Sequence, residues 1–194
     1  MYHIAIKEDI NLISETELSD ALARLPEWRR EKALRFKFPS GKAECACSYL
    51  MLCNLLQEKY GITAQPHFNI GEHGKPTLLE YPDIHFNISH CKAAIAVAVS
   101  NHPIGIDVEC IGRGNEMLAN HVLNDDELHK MKSAADPKAA FTRLWTQKEA
   151  LFKLLATGIT DDIKELLRRH PDVCITTQTN IEKGYALSIA RYSK

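Results

Sequence analysis

Ile104-Gly105-Ile106-Asp107-Val108-Glu109 alternates apolar and other residues for six positions. The period of two reads as a β-strand with Ile104, Ile106 and Val108 on one face and Gly105, Asp107 and Glu109 on the other. Side chains two apart on a strand are about 7 Å apart at the backbone and point the same way, so the two carboxylates can converge on one small, hard cation. The plainer reading is an acidic strand face turned to water, a common way to keep a sheet edge soluble. What decides between them lies elsewhere in the chain.

Around this strand the pattern alternates between strand and helix. Tyr2 to Ile6 reads as a first strand, and Glu15–Leu25, Pro26–Phe36 and Gly41–Tyr60 as helices, the last closed by Gly61. His67 to Ile70, Ile84 to Ser89 and Ala93 to Val99 read as strands, with turn chemistry at Gly71 to Pro76. Asn124 with Glu127 makes a capping box, and Asp136-Pro137 opens a long helix to about Ala156. Val173 to Thr177 and Tyr185 to Arg191 supply closing strands. This order suggests an α+β pseudo-dimer: halves 1–102 and 103–194, each with helices on a small antiparallel sheet and the active site in the cleft between them. One continuous domain fits the same order.

The 194 residues carry 24 Lys plus Arg against 25 Asp plus Glu, a net charge of -1, so no long-range field draws nucleic acid or an acidic membrane, and any anion site is local. No apolar run approaches the roughly 18 residues of a membrane span. Six cysteines without a CxxC pair or framework spacing, behind an amino terminus that does not read as a secretory signal, are expected as reduced thiols of a cytoplasmic protein. A thiol-based redox protein ranks last on that spacing.

On the helix opened by Pro137, Phe141, Leu144, Trp145, Phe152 and Leu155 form an apolar stripe, with Lys148 in its middle. Glu149 and Lys153 are i,i+4 neighbours, which alone would be an ordinary surface ion pair. An ammonium centred on an apolar stripe has to snorkel or find an anion, and a phosphate at the mouth of a cleft is one candidate.

Four ordered motifs now stand together: Gly74-Lys75-Pro76, Phe86-Asn87-Ile88-Ser89-His90, Gly105-Ile106-Asp107-Val108-Glu109, and Trp145-Thr146-Gln147-Lys148-Glu149-Ala150-Leu151-Phe152-Lys153. Together they resemble the signature of the 4'-phosphopantetheinyl transferase superfamily, in its two-halved type related to surfactin synthetase activators. The resemblance implies transfer of the phosphopantetheine arm of coenzyme A to a serine of an apo acyl or peptidyl carrier protein, releasing adenosine 3',5'-bisphosphate. It implies magnesium held by Asp107, Glu109 and Glu149, with Glu149 also accepting the serine proton and Lys153 meeting the pyrophosphate. Lys75, Ser89, His90 and Lys148 are implied as coenzyme A contacts, and Arg29 and Lys32 as partners of the ribose 3'-phosphate. A monomer is implied as well. A Ser89–His90 hydrolase is disfavoured because adjacent strand residues point to opposite faces. A coenzyme A or carrier-protein binding module without catalysis is the alternative, supported only by two departures. Where the family usually has an arginine, the chain reads Lys42-Ala43-Glu44-Cys45, so either Lys42 substitutes or the contact is missing. Ala156 replaces the first glycine after Lys153, ahead of Gly158, and is expected to extend the helix by a residue.

Overall fold

The computed structural model describes residues 1–71, 73–157 and 163–193. Strand β1 (Tyr2–Glu8) leads through a 3-10 turn to α1 (Glu15–Ala23), α2 (Glu27–Leu34) and the long α3 (Pro39–Tyr60), followed by β2 (Phe68–Ile70), β3 (Pro76–Leu78), β4 (His85–His90) and β5 (Ala94–Ser100). After these come β6 (Ile104–Cys110), α4 (Glu116–Val122), α5 (Asp125–Lys132), α6 (Pro137–Leu155), a 3-10 turn at Ile163–Glu165, α7 (Leu166–Arg169), β7 (Val173–Asn180) and β8 (Tyr185–Tyr192). Three antiparallel sheets result, with strand orders β1-β5-β4, β2-β3 and β6-β8-β7. The α+β class expected from the sequence is borne out. The short strand β3 and helices α4 and α7 carry too little periodicity to be read in advance.

Local chemistry sets the helix ends. Pro39 and Pro137 occupy first helical turns, where a missing N–H costs nothing, and Asp136 accepts from the backbone N–H groups of Lys138 and Ala139, both at 3.0 Å. Gly61 ends α3 in the left-handed region at φ 68°. The capping box expected at Asn124 and Glu127 is present in full.

Strand β5 explains how the sheets stack. Its seven residues are all buried. Ile95, Val97 and Val99 enter the core under α3, whereas Ala94, Ala96 and Ala98 share a second cluster with Ile104, Ile106 and Val108 of β6 and Leu187 and Ile189 of β8. Large residues fill the helix side, and small ones let the second sheet approach. At one end Glu8 accepts from Tyr185 Oη at 2.7 Å and from Asn180 Nδ2 at 3.0 Å, tying β1 to the carboxy-terminal hairpin. No helix among the described residues is long and apolar enough to cross a membrane.

Candidate active site

The acidic face of β6 is not turned to water. Asp107 is 3 % exposed, because α6 lies across the strand on that side. Gly105 makes this possible: a Cβ built there would stand 1.9 Å from the Ala150 carbonyl oxygen and 2.6 Å from the Leu154 nitrogen. With no side chain at Gly105 the helix backbone rests directly on the strand, and Lys153 reaches Asp107. Lys153 Nζ donates to Asp107 Oδ1 at 2.7 Å and to Ser89 Oγ at 3.0 Å, while Ser89 Oγ donates to Asp107 Oδ1 at 2.8 Å.

Glu109 and Glu149 belong to the same electrostatic cluster. Burial raises the Glu149 carboxyl above its ordinary range, and the charge of Asp107 raises it further, against the opposing pull of Lys153. Burial raises Glu109 likewise, partly countered by Arg113, whose guanidinium meets both carboxylate oxygens at 3.0 and 3.1 Å. Asp107 Oδ2 is buried with no hydrogen-bond partner among the described residues. Among the described residues no group of three or more His, Cys, Asp or Glu side chains is drawn together closely enough to hold a metal ion. The chemistry of the donors still suits a hard divalent cation: three oxygen-bearing acids, two of them, Glu109 and Glu149, raised by burial and by the nearby charge of Asp107, a strain that a cation would relieve.

The motif Phe86-Asn87-Ile88-Ser89-His90 has a second role that its spacing did not disclose. Phe86 and Ile88 pack into the core under α3. On the other face Asn87 Oδ1 accepts from the Ile106 N–H at 2.8 Å and Ser89 Oγ from the Val108 N–H at 3.2 Å. Two side chains of β4 thus satisfy the backbone donors of β6 where no strand ladder does. Ser89 is therefore buried beside Asp107, whereas His90 is exposed.

A cleft of about 380 Å³ opens on the His90 side, lined by Arg29 and Lys32 of α2, Glu44, Ser48 and Tyr49 of α3, and His90. Trp28, Tyr49, Phe68 and Phe86 meet mostly edge to face around it. The Arg29 guanidinium lies 5.3 Å from the Tyr49 ring centroid and donates to the Cys45 carbonyl at 3.2 Å. Three of the expected phosphate partners, Arg29, Lys32 and His90, are thereby brought together. Glu44, rather than Lys42, enters the same cleft, with Oε2 3.4 Å from His90 Nδ1.

Two expected contacts are placed elsewhere. Lys148 is 0 % exposed, and its three protons go to Glu127 Oε2 at 2.9 Å and to the carbonyls of Ile163 and Lys164 at 2.7 and 3.0 Å. The anion it finds is Glu127, not a phosphate, and sequence could not show this because Glu127 looks fully used as a cap. Removing one side of a buried pair leaves the other charged and unsatisfied. Lys148→Met is accordingly expected to cost about 3 kcal/mol, read as a lower urea midpoint at unchanged slope. Lys75 Nζ donates to the carbonyls of Ile104 and Lys153, capping the last turn of α6, and burial pulls it down to about 8.

Helix α6 ends at Leu155, and Ala156 takes the left-handed conformation at φ 57° with its N–H on the Phe152 carbonyl. The expected extension by one residue does not occur: alanine adopts the conformation that a glycine would hold more cheaply, by roughly 1 kcal/mol. Gly158 lies outside the described residues.

A sequence model of the 4'-phosphopantetheinyl transferase superfamily matches residues 103–191. The chain is 26 % identical over 177 residues to the 4'-phosphopantetheinyl transferase psf-1 of Bacillus pumilus, covering 83 % of this chain and 76 % of that one. It is 25 % identical over 193 residues to the 4'-phosphopantetheinyl transferase Sfp of Bacillus subtilis strain 168, covering 91 % and 86 %. Against the 4'-phosphopantetheinyl transferase gsp of Aneurinibacillus migulanus it is 37 % identical over 117 residues, 56 % and 48 %. Residues 103–191 are thus similar to the 4'-phosphopantetheinyl transferase superfamily, and relatives bearing that name align with most of the chain.

Proposed function

We propose that this chain transfers the 4'-phosphopantetheine arm of coenzyme A to a serine hydroxyl of an apo acyl or peptidyl carrier protein, releasing adenosine 3',5'-bisphosphate. The observation that carries the reading is the convergence of Asp107, Ser89 and Lys153, with the charges of Asp107 and Lys153 acting on Glu149, beside a cleft holding Arg29, Lys32 and His90. Arg29 and Lys32 take the ribose 3'-phosphate and His90 a neighbouring phosphate oxygen. Lys153 turns from Asp107 to the pyrophosphate, as a point charge suited to phosphate. Glu149, its carboxyl raised by burial, accepts the serine proton. Asp107, Glu109 and Glu149 would hold magnesium, which supplies charge stabilisation at the pyrophosphate oxygens when bound. Lys75, Ser89 and Lys148 act by position: Ser89 orients Asp107 and Lys153, Lys75 caps α6, and Lys148 anchors its flank.

In this reading residues 1–102 supply the coenzyme A cleft and residues 103–194 the acidic strand and helix, as two similar halves of a cytoplasmic monomer. The rival reading, a binding module without catalysis, is answered by one measurement. The protein is incubated with coenzyme A, magnesium and apo-carrier proteins, and the carriers are weighed by intact mass spectrometry. A phosphopantetheine mass gain is expected on at least one carrier, and measurable coenzyme A binding with no gain on any of them would overturn the transferase.

Glu44 sets a limit on the donor's affinity. Its carboxylate faces the same cleft as the cations that receive phosphate, so Glu44→Gln is expected to lower the KM for coenzyme A about fivefold, roughly 1 kcal/mol of repulsion removed, with kcat unchanged. Steady-state kinetics at neutral pH checks it.

A further inference from the structure

The seam between β4 and β6 repeats with one fixed offset. Asn87 meets Ile106 and Ser89 meets Val108, each through a β4 side chain and a β6 backbone N–H. Two residues further along both strands, on the same faces, that offset pairs Cys91 with Cys110. Cys91 is a buried member of the apolar cluster between the sheets and Cys110 packs against it, sharing a recess with Lys92 and Ala93 of the turn that follows Cys91. Cys91 is buried at the turn after β4, where its N–H donates to the Ala94 carbonyl at 2.9 Å. Cys110 is half-buried and opens onto two recesses, one beside Glu109, Arg113 and Trp145 and the other beside Lys92 and Lys183. A pair 19 residues apart in sequence, on strands that a sheet diagram does not pair, shows none of the spacings that mark a dithiol motif.

We propose that Cys91 and Cys110 form a redox-modification site, a dithiol that a small-molecule disulfide converts to an intramolecular disulfide tying the end of β4 to the end of β6. The order of events follows from exposure. The Cys110 sulfur attacks one sulfur of the disulfide RS–SR, giving Cys110–S–SR and releasing one thiol, RSH, which carries away the Cys110 proton. Cys91 then attacks the Cys110 sulfur, its proton leaving with the second RSH. Both cysteines are oxidised by two electrons in total and RS–SR is reduced to two RSH. Burial pushes the Cys91 thiol up to about 12, so Cys91 is the resolving partner and its step is the slower one. Such a pair in a reducing compartment is a transient sensor rather than a structural staple.

The bond would fall next to two residues of the proposed site, because His90 precedes Cys91 and Glu109 precedes Cys110. Joining the two sulfurs in a covalent bond of about 2.05 Å draws the strand ends together, and shifts of about 1 Å at reacting groups cost up to a hundredfold in rate. Transfer is therefore expected to fall at least tenfold on oxidation and to return with dithiothreitol. This consequence rests on the transferase reading, whereas formation of the bond does not.

The full-length chain is treated with oxidised glutathione, free thiols are blocked, and peptides are mapped by mass spectrometry without reduction. The expected product is a Cys91–Cys110 linked peptide pair lighter by two hydrogens, lost when the same treatment is done in urea. In the Cys91→Ser chain Cys110 should keep an unresolved glutathione adduct. A glutathione adduct on native Cys110 that never resolves, no reaction at Cys110, or preferential linkage of other cysteines would each overturn the proposal. Because the mapping is read on the bond itself, a chain that links Cys91 to Cys110 but never modifies a carrier counts against the transferase and not against the dithiol.

Discussion

Glu149→Gln lowers carrier modification about a thousandfold while coenzyme A binding changes little. Two roles meet in this side chain under the proposed mechanism, a proton acceptor and an acid of the magnesium set. General-base contributions alone are worth about a hundred- to ten-thousandfold. Glutamine keeps the volume and one oxygen but cannot take a proton. The cleft proposed to bind coenzyme A is lined by residues of α2, α3 and β4 and not by Glu149, so calorimetric affinity should stay within about threefold. Near wild-type transfer in the variant would remove Glu149 from the chemistry.

The same substitution carries a stability signature of defined sign. Burial and Asp107 raise the Glu149 carboxyl in the folded chain above the 4.5 of an unperturbed glutamate. The folded state therefore binds this proton more tightly than the unfolded chain. Its stabilising contribution is complete below about pH 4.5 and is lost as pH rises through the raised value. Glutamine does not titrate, so the variant should melt higher than the wild type near pH 7.5, with the gap closing towards pH 4. Magnesium should narrow the gap at pH 7.5 by raising the wild type more. Thermal melts across that pH range check both, and a variant that melts lower at pH 7.5 would show that Glu149 is held by a partner rather than strained by its neighbours. An inactive but more stable protein is the pattern expected where acids are crowded for function.

Much of this arrangement was legible in the chain. The alternation of Ile104 to Glu109, the capping box at Asn124 and Glu127, and the helical run read to about Ala156 express local chemistry that tertiary packing left in place. The strand's period alone left an acidic face turned to water as the plainer reading, because it shows which residues share a face but not what covers it. Covering depended on Gly105 and Ala150, two small residues about 45 positions apart that carry no periodic signal. Lys148 was misread for a related reason. Its position on the apolar stripe announced a buried ammonium, but the partner was Glu127, whose capping role gave no sign of a second bond. Ala156 shows the opposite limit, since nothing in an alanine announces a left-handed backbone. Cys91 and Cys110 were invisible as a pair because their adjacency follows from a side-chain register between two sheets.

Gly105→Ala should be among the most destabilising single substitutions in the protein, costing about 4 kcal/mol or preventing folding. The added methyl would sit 1.9 Å from the Ala150 carbonyl oxygen and 2.6 Å from the Leu154 nitrogen, both backbone atoms of α6 that no rotamer change can move. Relief requires the helix to lift from β6 by more than 1 Å along its length. That opens the packing between α6 and the sheet, where Ala150, Leu151 and Leu154 are fully or nearly fully buried, and overpacking of this kind costs 1–3 kcal/mol even where side chains can yield. It also stretches the 2.7 Å contact of Lys153 with Asp107, so a folded fraction should lose transfer out of proportion to its coenzyme A affinity. For a chain of this size about 4 kcal/mol corresponds to a fall in Tm of roughly 8–16 °C. Differential scanning calorimetry of the purified variant decides it: a Tm within 2 °C of wild type would mean that α6 does not rest on this strand, and the juxtaposition of Lys153 and Glu149 with Asp107 would lose its structural basis.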